Sequence, residues 1–318
     1  MEDLVSKTSI KKDHILVVGG TGFIGTHIVK EALVRGLKVT IISKSHKPFS
    51  DRIKDVEYLS VDISQQDNLC NQLKDKTFQY VINLGGYVDH SNYSSGGDMV
   101  FNVHFNGTKN LINNINKDSL KSFIQIGSSD EYGINVAPQN ESQRESPISP
   151  YSFAKTTTTH YLQMLYRTES YPVVILRPFL VYGPGQGMER FIPQVIKGCI
   201  EGRKFPTSEG RQLRDFCFIG DFVGSVFSLI DNTKAFGEVI NIASGEPIFI
   251  KDVVNKIQNI ITTGSPQFGD TAYRAGENME LYADITKAKK LLNWQPKISL
   301  EEGLRKTIDA IRNIDNAK

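Results

Sequence analysis

Tyr151 and Lys155 stand at i and i+4 in the stretch Pro150-Tyr151-Ser152-Phe153-Ala154-Lys155, which puts both side chains on one helix face, a turn apart. A phenol with a pKa of about 10 carries protons poorly at neutral pH. A nearby ammonium favours the phenolate and draws that value toward the working range. Ser128, at the end of an apolar run, adds a hydroxyl that can hydrogen-bond an oxygen being oxidised or reduced. Together the three are the parts of a proton-transfer site at a carbinol or carbonyl carbon. A Tyr-x-x-x-Lys pair alone carries little information, because chance pairs on helices are frequent. Tyr161 and Tyr166, further along the same segment, read as packing residues.

What gives the pair meaning is the stretch from Asp13 to Arg35. An apolar run, Ile15 to Val18, breaks into Gly19-x-x-Gly22-x-x-Gly25 and then into helical spacing through Phe23, Ile24, Ile28, Ala32 and Leu33. That is a strand, a tight turn and a helix. Gly19 permits the turn, Gly22 lets backbone N–H groups approach a pyrophosphate, and Gly25 lets the helix press on the strand. Phosphate then sits at the positive helix end, so Gly19, Gly22, Phe23, Ile24 and Gly25 are expected to hold a dinucleotide. With a nicotinamide present, its positive ring also favours the Tyr151 phenolate, and Lys155 can hold the nicotinamide ribose.

The second strand, Lys38 to Ile42, ends in Ser43-Lys44-Ser45-His46-Lys47. An NAD-selective site would place an acidic residue there, roughly 20 residues beyond the glycines, on the ribose hydroxyls. None is present. Ser43 and Lys44, with His46 or Lys47, could instead meet a 2′-phosphate, so NADP(H) is favoured, with NAD(H) as the alternative. The other reading of these residues is a solvated basic loop.

Further strands follow at Val56 to Val61, closed by Asp62-Ile63, and at Tyr80 to Leu84, closed by Gly85-Gly86. A helix is expected from about Ser64 to Asp75. Asp98 to Asn116 has long-helix spacing with Val100, Val103, Leu111, Ile112 and Ile115 toward the core. The fifth strand, Ser122 to Ile126, ends in Gly127-Ser128-Ser129-Asp130-Glu131-Tyr132-Gly133. Strand–helix alternation with short links implies an α/β fold, a doubly wound parallel sheet of Rossmann type. Ligands collect at the carboxyl ends of such strands. Asp62, Ile63, Leu84, Gly85 and Gly86 fall there with the glycine turn and Ser128, so separate segments make one cofactor site.

Composition narrows the partners. The 318 residues carry 37 Lys plus Arg against 35 Asp plus Glu, a balance that calls for neither nucleic acid nor an anionic membrane. Cys70, Cys199 and Cys217 are odd in number and far apart, so neither a disulfide framework nor a zinc spacing is expected. They read as thiols of a reducing compartment, and the scattered histidines suggest no metal. No apolar run is long enough to span a bilayer, and the N-terminus has no h-region of a secretion signal. The expectation is a cytoplasmic protein.

The chain resembles the extended short-chain dehydrogenase/reductase family of nucleotide-sugar epimerases, dehydratases and ketoreductases. The resemblance covers nearly the whole chain. It rests on Gly19 to Gly25, Asp62-Ile63, Ser128 with Tyr132-Gly133, Tyr151-x-x-x-Lys155, Arg177-Pro178-Phe179 with Tyr182-Gly183-Pro184-Gly185, Leu213-Arg214-Asp215-Phe216, and Arg274 through Trp294-Gln295-Pro296. It implies a Rossmann domain over 1–176 plus about 212–242 and a smaller C-terminal α/β domain, about 177–211 and 243–318, that binds a nucleotide-diphosphate sugar. Helices are expected at Met188 to Gly202, Lys251 to Thr262 and Ser299 to Ile314. Catalysis is assigned to Ser128, Tyr151 and Lys155. Ser129 and Asp130 are placed on the substrate, and Arg214 and Arg274 on its diphosphate or, alternatively, in ion pairs with Asp215 or Glu277. Family members are commonly dimers through a bundle that would include residues 98–116 and 151–169.

The chain departs from the family pattern at Leu180 in place of Asn, at Gly85-Gly86 in place of Ala-Ala, and at His104 in place of a helix Asn. Gly-Ser-Ser-Asp-Glu-Tyr-Gly is most similar to 4-keto-6-deoxy-sugar reductases. The expected reaction is therefore NADPH-dependent reduction of a C4 ketone with the proton from Tyr151, and the alternative is a 4-epimerase that retains NAD. Ser129 and the short Asp130 stand where dehydratases place carboxylates, which disfavours dehydration. A non-enzymatic dinucleotide sensor would not need Ser128, Tyr151 and Lys155 together.

Overall fold

The computed structural model describes residues 12–45, 48, 51–273 and 276–316. Its elements follow the alternation of apolar runs and helical spacing. They are β1 (His14–Val18), α1 (Phe23–Val34), β2 (Lys38–Ser43), β3 (Val56–Ser60), α2 (Gln66–Leu73) and β4 (Tyr80–Asn83). Next come α3 (Gly97–Phe101), a π-helical turn (Asn102–Asn106), α4 (Gly107–Asn114), β5 (Ser122–Ile126), α5 (Pro150–Glu169) and β6 (Val173–Pro178). The remainder is β7 (Leu180–Tyr182), α6 (Phe191–Ile200), β8 (Lys204–Thr207), β9 (Leu213–Phe218), α7 (Ile219–Phe227), β10 (Val239–Ile242), β11 (Pro247–Phe249), α8 (Ile250–Ile261), β12 (Ser265–Phe268), β13 (Glu280–Leu281), α9 (Thr286–Leu292) and α10 (Leu300–Asn316).

One sheet runs in the order β10-β6-β5-β4-β1-β2-β3, and every neighbouring pair in it is parallel. This is the expected doubly wound sheet. Its order reverses between β1 and β4, so their carboxyl ends open the crevice in which such sheets bind ligands. The period-two alternation of side chains sorts each strand between two cores. From β1, Ile15 and Val17 pack with α1 and α7 on one face. Leu16 and Val18 pack with α2, α4 and α5 on the other. Both faces are dry, which is why these strands read as continuous apolar runs.

A smaller layer follows. β9 is its central strand, parallel to β7 and β13 and antiparallel to β11, while β8 and β12 form a separate parallel pair. Helices α6, α8 and α10 close over it through Val195, Ile196, Val253, Ile257, Leu304 and Ile308. The helix expected from Met188 begins at Phe191. Among the described residues no helix is long and apolar enough to cross a membrane, and Cys70, Cys199 and Cys217 are free thiols.

The long helix expected over Asp98 to Asn116 is interrupted. The π-helical turn inserts one extra residue into the helical repeat, which rotates the apolar face. Val103 is therefore only partly buried, and His104 is buried instead at 4% exposure.

Candidate active site

The glycine turn has the shape its spacing implies. Gly19 sits at φ +77°, in the left-handed region that only glycine enters freely, and its N–H donates to the Ile42 carbonyl at 2.7 Å. Gly22 caps α1 without any side-chain bond to the first turn, so those N–H groups stay available to an anion. A Cβ on Gly25 would lie 2.3 Å from the Gly19 oxygen, so helix and turn meet backbone to backbone. Phe23 and Ile24 are partly buried against the core beneath. This cradle fits a dinucleotide diphosphate.

Around it, Leu84 packs on Gly19, and a Cβ on Gly85 would strike Ile63 at 2.8 Å. Ile63 itself is 4% exposed, so its side chain supports the strand end from below. Gly86 has φ +121°, and the His104 ring fills the place of its side chain, 2.1 Å from where a Cβ would stand. At the end of β2, the Ser43 hydroxyl donates to the Ser45 carbonyl at 2.8 Å. Lys44 reaches Asp62 at 3.0 Å. Burial alone would push the Asp62 carboxyl up, but hydrogen bonds from Ser64 and Lys44 hold it below its usual range. His46 and Lys47 lie outside the described residues.

Ser128, Tyr151 and Lys155 converge. Ser128 leaves β5 in extended conformation and caps a short 3-10 turn, its Oγ accepting from the Asp130 N–H at 3.1 Å. Helix α5 starts sharply because Ser149 caps it and Pro150 occupies its first turn. That start places Tyr151 against Ser128, with which it shares a hydrogen bond. One turn on, Lys155 donates to the Ile126 carbonyl at 2.7 Å, and its Nζ lies 5.8 Å from the Tyr151 ring centre. All three are at most 9% exposed.

The electrostatics differ in one respect from the expectation. Burial pushes the Tyr151 phenol up and Asp130 pushes it further, outweighing the hydrogen bond with Ser128. The protein's own groups therefore hold Tyr151 as a phenol rather than easing it toward phenolate. Burial pulls the Lys155 ammonium down to about 8, against the opposing charges of Glu131 and Asp130. Tyr151 is also flanked edge-on by two imidazoles, His90 at 5.7 Å and His104 at 5.2 Å between ring centres.

On the substrate side Ser129 is buried. The Asp130 carboxylate is 3.6 Å from His90, and burial raises its pKa. Arg214 is bound to the Leu213 carbonyl and paired with Glu277. Asp215 is not its partner, being taken by the Ser244 hydroxyl and N–H at 2.6 and 2.7 Å and by the Gly245 N–H at 3.0 Å. Arg274 lies outside the described residues. Among those described, no cluster of His, Cys, Asp and Glu could hold a metal ion.

Several neighbours of the site carry no role that their sequence context states. His90 comes from the loop after β4. Glu131 and Arg177 are wholly buried together at 2.8 Å. For Glu131 a signal existed: Ser128-x-x-Glu131 has capping-box spacing, and both of its bonds form. His104 was visible as a departure from the family pattern, but not as a buried partner of Tyr151.

The model of the NAD dependent epimerase/dehydratase family matches residues 15–243. The chain is 29% identical to the uncharacterized UDP-glucose epimerase YtcB of Bacillus subtilis (strain 168), covering 92% of this chain and 96% of that one. It is 28% identical to a UDP-N-acetyl-alpha-D-glucosaminuronate decarboxylase of Bacillus cytotoxicus over 96% of this chain and 99% of that one. Among solved structures, the UDP-glucuronic acid 4-epimerase of Bacillus cereus, in complex with UDP-glucuronic acid and NAD, superposes with a TM-score of 0.82 at 28% identity. That match covers 95% of this chain and 99% of the other. The chain is thus an enzyme of the NAD dependent epimerase/dehydratase family, within the extended short-chain dehydrogenases/reductases.

Proposed function

We propose that the chain is a nucleotide-sugar 4-epimerase that retains NAD between its two half-reactions. The observation that carries this reading is the Lys44–Asp62 pair at the end of β2. The reductase expectation leaned on basic residues there for a 2′-phosphate. Lys44 instead faces a carboxylate held ionised, and that carboxylate opposes a phosphate as like charge opposes like. An unphosphorylated ribose fits better. The relatives that act on UDP-sugars as epimerases point the same way.

Gly19, Gly22, Phe23, Ile24 and Gly25 would hold the diphosphate, Ser43, Asp62 and Ile63 the adenosine, and Leu84, Gly85, Gly86 and Lys155 the nicotinamide riboside. The bound dinucleotide supplies hydride acceptance and return at the sugar C4. Tyr151 takes the proton of the C4 hydroxyl and gives it back to the same oxygen after the sugar has turned. Ser128 is placed to assist: the Asp130 N–H occupies an Oγ lone pair, and the hydroxyl hydrogen, set toward Tyr151 in the protein alone, would turn to donate to that oxygen. Lys155 stabilises the phenolate while Tyr151 lacks its proton. Ser129 and Asp130 would line the sugar. Arg214 would reach the diphosphate only by sharing its guanidinium with Glu277, and Arg274 would complete the grip.

In this reading the large sheet carries the dinucleotide and the layer around β9 carries the nucleotide sugar. Two copies would pair through α3 and α5, where Met99 and Phe153 are 60% and 52% exposed and Phe153 stacks on Phe101. A single-chain mass in light scattering would exclude that pairing.

The experiment is turnover of UDP-glucose and UDP-glucuronic acid, with products separated by chromatography while nicotinamide absorbance is followed. Interconversion of C4 epimers without net absorbance change is expected. Tyr151→Phe should lower kcat about 10²- to 10⁴-fold. Net consumption of NADPH with a 4-keto sugar nucleotide would instead identify a reductase.

A further inference from the structure

Glu131 is fully buried, and its carboxylate joins three elements. Oε1 accepts from the Ser128 N–H at 2.9 Å. Oε2 accepts from Thr159 Oγ1 at 2.8 Å and from Arg177 Nε and Nη2 at 3.0 and 2.8 Å. Arg177 is in turn braced by Glu145 at 2.5 Å and by the Tyr132 ring, 4.8 Å from its guanidinium carbon. Ser128 ends β5, Thr159 lies one turn beyond Lys155 on α5, and Arg177 belongs to β6. A capping glutamate needs only the N-cap N–H. The bonds to α5 and β6 serve no cap.

We propose that Glu131, clamped by Arg177, is a positioning residue for the reaction: it fixes the Ser128 turn and helix α5 to one another, so that Ser128, Tyr151 and Lys155 keep a single geometry. The assignment rests on those three as the reacting groups. A neutral side chain could fill the same space, so the carboxylate has a second effect. Lys155 is faced by Glu131 and Asp130 from the 3-10 turn, by His104 from the π-helical turn and by Tyr151 on its own helix. Asp130 in turn faces His90 and Arg214. Of the two carboxylates that oppose the effect of burial on Lys155, Glu131 is the stronger. Removing its charge lets burial act with less opposition, and the ammonium then loses its proton at lower pH.

The test uses the full chain as wild type, Glu131→Gln and Thr159→Val, labelled with ε-13C-lysine. The resonance missing from Lys155→Met identifies Lys155. In Glu131→Gln that resonance should titrate at lower pH. Turnover should fall at least about tenfold with KM for the UDP-sugar within about twofold, and the alkaline limb of kcat should move toward acid. Thr159→Val keeps the carboxylate charge but unties α5. It should lower kcat about threefold while the lysine titration stays in place.

Wild-type kcat in both variants overturns the proposal. So does a Glu131→Gln protein that melts earlier with an unmoved lysine titration, since that is a structural role only. If Glu131→Gln does not fold, unchanged kcat in Thr159→Val is the refutation. A wild-type enzyme inert toward every UDP-sugar would sink the epimerase reading, while the lysine titration still judges Glu131 by itself.

Discussion

Replacing Arg177 by Met tests whether the ion pair behind the site is held as tightly as its burial implies. The guanidinium is wholly inaccessible; its Nε and Nη2 donate to Glu131 at 3.0 and 2.8 Å and Nη2 to Glu145 at 2.5 Å, while Nη1 is buried without a hydrogen-bond partner. Methionine occupies much of the same space but leaves the Glu131 carboxylate in the interior with only the Ser128 N–H and the Thr159 hydroxyl as donors. Breaking a buried pair from one side costs about 3–5 kcal/mol, because an uncompensated charge stays behind. Unfolding entropy near the midpoint is about 2.1 cal/mol/K per residue, or about 0.7 kcal/mol/K for a chain of this length. The melting temperature should therefore drop by about 4–7 °C in differential scanning calorimetry. The companion Arg177→Met/Glu131→Gln, which removes the wholly buried pair and leaves Glu145 with His160, should regain part of that loss, since removing both partners is cheaper than removing one. A single variant that melts within about 1 °C of wild type would refute the reasoning. So would a double variant that melts lower than the single one.

The Lys155 pKa is depressed to about 8 by burial, against about 10.4 in an unfolded chain. Between those values the unfolded state binds more protons, so stability rises with pH through that window. Lys155→Met removes this dependence. Its melting temperature relative to wild type should be most favourable below pH 8, and the comparison should shift toward wild type as pH rises to about 10. Parallel melting curves for the two proteins across that range would contradict the burial argument. Gly25→Ala places a Cβ 2.3 Å from the Gly19 oxygen, a contact between backbones that no side-chain rotation relieves. NAD affinity by fluorescence titration should fall at least about tenfold, since a displaced helix end no longer faces the diphosphate; unchanged affinity would refute the proposed cradle.

The types of residue at the site were legible because they carry their own spacing. Gly19-x-x-Gly22-x-x-Gly25 after a strand, Tyr151-x-x-x-Lys155 at a capped helix start and Ser128 at a strand end each state a local geometry, and the parallel sheet then brings the two strand ends to one edge, beside the start of α5. What stayed hidden depends on contacts between segments distant in sequence. Lys44 read as free for a phosphate because its partner, Asp62, follows another strand and a loop. Val103 read as a core position because a regular helix would make it one. The π-helical turn put His104 there instead, and no periodicity announces an inserted residue. Arg177 read as a family motif without a task, since its partners Glu131 and Glu145 come from a turn and a long loop.

The same distinction governs the electrostatics. From spacing alone, Lys155 beside Tyr151 argues for an easily ionised phenol. In the folded protein burial acts on both groups and in opposite directions: the phenol is pushed up and the ammonium down to about 8. Each is thereby biased toward its neutral form, the form in which neither assists the other. Asp130 and Glu131 keep the ammonium from falling further, yet both also raise the phenol. A site so arranged favours the protonated phenol, and the positive nicotinamide of NAD, if bound beside it, would favour the phenolate instead. Binding of the oxidised dinucleotide should therefore be linked to loss of the Tyr151 proton, and the coupling comes from the depth at which α5 and the β5 turn bury the pair.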